Sequence, residues 1–175
     1  MKKEKGGIKM ETSQVSQTVH STNRWFYAIH IGFFAGLIWG LMRVIAYFFK
    51  LTSLVPGYLI EPFYTHTFLE SPAGQVLGTI YFTLFSIMAS LLYGLLFYKL
   101  RGAWYGLAYG LLWWSVIFLL AGPALGLTAP AYRLDLDTAL TEGALYVMWG
   151  VFIGFSISFE FTDERKREPV SKESS

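Results

Sequence analysis

Arg43 and Glu142 are the residues whose types and spacing carry the most chemistry in this chain of 175 residues. Arg43 stands inside a long apolar run, where a charge is costly and is kept for a purpose. It lies 18 residues beyond Trp25, where that run begins. On a helix rising about 1.5 Å per residue, that is roughly 27 Å. Glu142 lies the same 18 residues before Glu160, near the end of the last apolar run. If the two runs cross the same layer in opposite directions, the two side chains are level. Three uses stay open for them. They pair and pin the first helix to the last, or Arg43 snorkels its stem to the headgroups, or the position binds a ligand or ion.

The other candidates are weaker. His30 sits about 7–8 Å into the first run, where a hydrogen bond to a carbonyl or to Glu160 competes with a proton relay. His20, His30 and His66 fall in a tail, a helix and a loop, without metal-ligand spacing. Ser86, Ser90, Ser156 and Ser158 have no evident base beside them. There is no phosphate loop, no His-Glu zinc motif and no serine elbow. The absence of cysteine removes thiolate sites and disulfides together. The expectation is a chain with no catalytic residues, no cofactor and no metal, and not an enzyme.

The elements that position these residues follow from composition. At 54% hydrophobic and 15% charged residues, the chain is too apolar for an ordinary soluble domain. Four continuous apolar runs predict membrane spans at about 25–49, 74–98, 103–121 and 138–160, the last opening behind Asp137 as N-cap. The runs lack the period-two alternation of a β-barrel. The predicted fold is an all-α integral membrane protein, a four-transmembrane-helix bundle over residues 25–160. Residues 1–24 and 161–175 are polar and are expected to be disordered tails.

Orientation comes from the basic residues. Eleven of them lie in the tails and the short second connection, among them Lys99, Arg101 and Arg165, against only Lys50 and Arg133 on the opposite side. The positive-inside rule then places both termini in the cytoplasm of a multi-pass cell-membrane protein. The bilayer is the expected partner, with a membrane protein or a second copy as further ones, and no nucleic acid.

Small residues recur every fourth position, which puts them on one helical face and lets backbones approach. The series are Gly32, Gly36 and Gly40; Gly78 and Gly94, with Phe82 filling a step between them; Gly106 and Gly110; and Gly150 and Gly154. Helix packing is the expected use of all of them. Gly32-Gly36-Gly40-Leu41 aligns with Gly102-Gly106-Gly110-Leu111, the trace of a repeat of two hairpins. Trp39, Trp113, Trp114 and Trp149 fall deep in the spans, either packed against the glycine faces or lining an apolar cavity. The long first connection carries three prolines and several aromatic rings, so it lies on the headgroups, folds back over the bundle or offers a partner-binding surface.

The glycine-spaced GFFAGLIWG of the first run leads to Arg43 and AYFF, and the last run carries LYVMWGVFIGFSISFEF at residues 145–161. On these stretches the chain resembles the YqhR-type conserved membrane proteins of endospore-forming Gram-positive bacteria, over roughly residues 30–162. GLTAP at 126–130, with Glu142 beyond, is more faintly similar to YagU-type inner-membrane proteins. The resemblance implies a four-span membrane protein and brings no catalytic residues with it. The expected function is that of a non-enzymatic membrane component acting through protein or lipid contacts. The alternative is a small oligomeric transporter or channel for an anionic or amphiphilic substrate bound at Arg43. An intramembrane enzyme acting on lipid ranks last, because the serines lack a base.

Overall fold

The computed structural model describes residues 24–97 and 103–167, with side chains omitted at 24, 103 and 161–167. Its frame is four long helices. These are α1 (Arg24–Phe48), α2 (Pro72–Leu96), α3 (Ala103–Ser115, continuing through Val116–Ala121 and Gly122–Leu125) and α4 (Leu136–Arg167). Within them Trp25–Phe48, Pro72–Leu96, Trp104–Leu125 and Leu136–Glu160 are each long and apolar enough to cross a membrane. Among the described residues there is no strand, so the chain is all-α.

Each boundary has a local cause. α1 closes in a Schellman motif: Leu51 N–H donates to Ala46 O at 2.9 Å, and Lys50 N–H donates to Tyr47 O at 3.0 Å. Lys50 takes the left-handed backbone, φ 57°, that this motif normally gives to glycine. α2 begins with Ser71 as N-cap, its hydroxyl accepting from Gly74 N–H, and with Pro72 in the first turn, where a missing N–H costs nothing.

Several boundaries differ from the sequence expectation: α2 opens at Pro72 rather than at 74, and three further differences have a local cause. α3 continues past 121 to Leu125, because a π-helical turn over Val116–Ala121 widens the backbone just before Pro123. A proline in an α-helix clashes with the carbonyl four residues back, and the wider turn, with Gly122 N–H bonded to Ile117 O, relieves that clash. α4 opens at Leu136, so Asp137 lies inside the first turn, facing the helix dipole rather than capping it. α4 also runs to Arg167, so residues 161–167 are helical and do not belong to a disordered tail. Glu, Arg and Lys there are good helix formers. The remaining tail residues, 1–23 and 168–175, and the link at 98–102 lie outside the described residues.

The helices pack as two close pairs, α1 on α2 and α3 on α4, joined chiefly through α1 against α4. In the first pair, a Cβ at Gly32 would meet the Ile87 backbone at 2.6 Å, and one at Gly36 would meet Thr83 at 2.5 Å. Gly40 rests on the Thr79 side chain. The second pair is glycine against glycine: a Cβ at Gly150 or Gly154 would lie 2.5 Å from the Cα of Gly110 or Gly106 respectively. Gly106 and Gly110 face the α4 backbone in return. Corresponding glycines of α1 and α3 thus face the second helix of their own hairpin.

Two glycines depart from the helix-packing expectation. Gly78 packs against the first connection, where its Cβ would meet Gly57 Cα at 2.5 Å, so it admits a loop rather than a helix. Gly94 has only Ala28 Cβ at 3.7 Å, an ordinary contact with room for a methyl group. The outward faces of the bundle carry large apolar side chains such as Phe33, Leu41, Leu84 and Phe155. Such an exterior matches hydrocarbon rather than water.

Candidate functional site

The first connection folds back into the bundle. Tyr58, at the start of a 3₁₀ turn spanning Tyr58–Phe63, is fully buried, as are Val55 and Leu69 nearby. The insertion occurs where Gly78 removes a side chain and lets Gly57 approach the α2 backbone. Three further hydrogen bonds fasten the connection to the start of α4. Ser53 N–H donates to Thr138 Oγ1 at 2.9 Å, the Ser53 and Thr138 hydroxyls lie 3.0 Å apart, and Thr141 Oγ1 donates to Leu51 O at 2.9 Å.

This insertion closes a chamber around Arg43. The structure brings Arg43 and Glu142 together, Nη2 to Oε2, at 2.8 Å, with side chains 2% and 0% exposed. The other carboxylate oxygen accepts from Thr52 Oγ1 at 3.1 Å, and that same hydroxyl accepts from Leu54 N–H. The guanidinium carbon lies 4.5 Å from the Phe82 ring centre and 5.1 Å from those of Tyr58 and Tyr146. Tyr58 and Tyr146 in turn share a hydrogen bond of 2.5 Å between their hydroxyls. α1, the first connection, α2 and α4 each contribute to one enclosed cluster.

The electrostatics of the cluster are those of a desolvated pair. Two buried charges lose their hydration, and mutual attraction offsets that loss only with good geometry and additional bonds. Here Thr52 serves the carboxylate, and three ring faces offer the guanidinium the negative part of their quadrupoles. A desolvated cation–ring contact contributes about 2 kcal/mol or more. Removing one charge leaves the other stranded, at about 3–5 kcal/mol. The arrangement holds four segments in register, and it presents no accessible nucleophile or base.

The remaining candidates are dispersed. His30 Nδ1 is 3.1 Å from Phe26 O, a local contact on an exposed face of α1. Ser86 accepts from Trp149 Nε1 at 2.9 Å and Ser90 donates to Ala28 O at 2.7 Å, so both are consumed in interhelical packing. Trp149 is fully buried among Phe82, Phe85 and Tyr109. Trp39 packs on Phe152 and Trp113 on Phe85. His66 sits outside the chamber with Glu61 and Glu70, at 2.8 and 3.6 Å.

Four members of the chamber escape a reading of the sequence, and two of them leave a signal. Tyr146 follows Glu142 by one helical turn and so shares its face. Phe82 interrupts the small-residue series of α2, and the interruption is where the guanidinium lies. Thr52 and Tyr58 belong to an aperiodic connection, where spacing predicts no direction.

A family model described as conserved membrane protein YqhR matches residues 8–172. The uncharacterized protein YqhR of Bacillus subtilis (strain 168) is 33% identical over 132 residues, covering 75% of this chain and 74% of the relative. No solved structure matches the chain significantly. The four apolar spans and the match along nearly the whole length agree, and the chain belongs to the YqhR family of conserved membrane proteins.

Proposed function

We propose that this protein is a non-enzymatic component of the cell membrane, with both termini cytoplasmic, that works through contacts with lipid, another membrane protein or a second copy. The observation that carries this proposal is the enclosure of Arg43. The charge that a transporter would offer to an anionic or amphiphilic substrate is neutralised by Glu142 and walled by three rings. A substrate there would have to displace both. What the helices present outward is many large apolar side chains, the medium of lipid and protein contacts.

The test is purification of the full chain from native membranes in mild detergent or nanodiscs, with mass spectrometry of everything retained. A stoichiometric protein or a retained lipid class supports the proposal. A bound anionic metabolite that is lost with Arg43→Ala would replace it by transport. Orientation is tested separately. The chain has no cysteine, so Tyr132→Cys and Ser174→Cys each introduce a single thiol. A membrane-impermeant maleimide on intact cells should label the first and spare the second; the reverse pattern would invert the topology.

A further inference from the structure

At the end of the bundle away from the termini, a cavity of about 630 Å³ opens between the close of α1, the start of α2 and the start of α4. Its wall includes Phe48, Lys50, Gln75, Asp135, Asp137 and Thr138. Pockets of roughly 300–1,000 Å³ are those that hold small ligands. Three of the spans end or begin at this cavity, so it lies at the level where acyl chains give way to headgroups.

The charges there are of both signs. Lys50, Asp135 and Asp137 line one cavity, yet among the described residues none of them makes an ion pair. Lys50 also stands where the chain geometry favours glycine, at φ 57° in the Schellman motif that ends α1. A β-carbon in that conformation is strained, and strain of this kind gathers at ligand clamps. Phe48 supplies an apolar side to the same cavity.

A cation and two carboxylates lining one cavity, with an aromatic ring beside them, complement a ligand with one anionic group, one ammonium group and an apolar tail. We propose that the cavity seats the headgroup of an amine-bearing zwitterionic phospholipid, of phosphatidylethanolamine chemistry. Lys50 receives the phosphate, Asp135 and Asp137 receive the ammonium, and Phe48 meets the first part of the acyl chains. The proposal rests on the contact function above and narrows one of its kinds of contact. Its failure would leave a protein partner, read by copurification, untouched.

The test titrates the purified full chain with phosphatidylethanolamine, phosphatidylcholine or phosphatidylglycerol and counts bound lipid by native mass spectrometry. Phosphatidylethanolamine should be retained about fivefold better than either of the others, the scale of one charge contact near a membrane surface. Asp135→Asn with Asp137→Asn should abolish its advantage over phosphatidylglycerol. Lys50→Gly is the most informative variant, because it relieves the strained backbone while removing the ammonium. It should lower phosphatidylethanolamine retention while the thermal midpoint without lipid holds or rises. Equal retention of the three lipids, or a preference unmoved by these variants, overturns the proposal. Displacement of the lipid by an equal concentration of glycerophosphoethanolamine would also overturn it, by assigning the site to a soluble zwitterion.

Discussion

The seam between α3 and α4 and the chamber around Arg43 hold the bundle together in opposite ways. At the seam, Gly106 and Gly110 meet Gly150 and Gly154 with backbone on both sides, the Tyr93 hydroxyl reaching only the Gly154 end. Such a contact works by dispersion at close range, so it tolerates the loss of nothing because it has nothing to lose, and it tolerates no added atom. In the chamber, aromatic side chains from three segments surround a buried ion pair. That cluster has no room for an unmatched charge. The comparison teaches that a membrane bundle fixes register with charge in one place and distance with glycine in another.

Removing a charge should have the largest effect. Glu142→Ala leaves Arg43 buried without its carboxylate and should destabilise the fold by about 3–5 kcal/mol, read as a fall in the thermal midpoint of the purified protein. Exchanging the charges, Arg43→Glu with Glu142→Arg, should recover only part of that loss. The new carboxylate would face the ring quadrupoles of Phe82, Tyr58 and Tyr146 with the wrong sign. Full recovery would show that the rings are mere filler, and none at all would show that Arg43 and Glu142 do not depend on each other.

Next comes an added side chain at the seam. A Cβ at Gly110 would lie 2.3 Å from Tyr146 O, so Gly110→Val should cost about 3 kcal/mol, near the upper end for overpacking. A neutral outcome would mean that the seam slides. Thr52→Val keeps the shape of the chamber but removes a hydrogen bond to an ionised carboxylate, worth about 1.5–3 kcal/mol by the same thermal measurement. The smallest change belongs to Gly94→Ala, where the new methyl finds Ala28 at 3.7 Å; stability should stay within about 0.5 kcal/mol. A large loss there would extend the seam rule to a position where the geometry shows space.

What was legible in the sequence depended on periodicity. The four spans follow from hydrocarbon length, because any helix crossing a bilayer must present a long apolar run. Arg43 and Glu142 could be placed level by counting, since helices convert residue number to height at a fixed rate. The end of α3 was hidden, because Pro123 reads as a stop unless the preceding turn widens, and side-chain spacing does not announce a π turn. Gly78 looked like its neighbours in the α2 series, yet its face meets Gly57 of a connection. Tyr58 lies in that same irregular segment, so only the folded chain shows it reaching the guanidinium.

The enclosed chamber also has a history written into the chain's direction. Glu142 is made 99 residues after Arg43, an interval of about 5–20 s at ordinary elongation rates. Tyr58 and Phe82 leave the ribosome well before it, only 15 and 39 residues after Arg43. Ring faces are therefore the first partners from this chamber that a nascent membrane helix bearing Arg43 can meet, and the carboxylate arrives last. A ribosome stalled after α2 would hold a hairpin whose buried cation rests on aromatic rings alone.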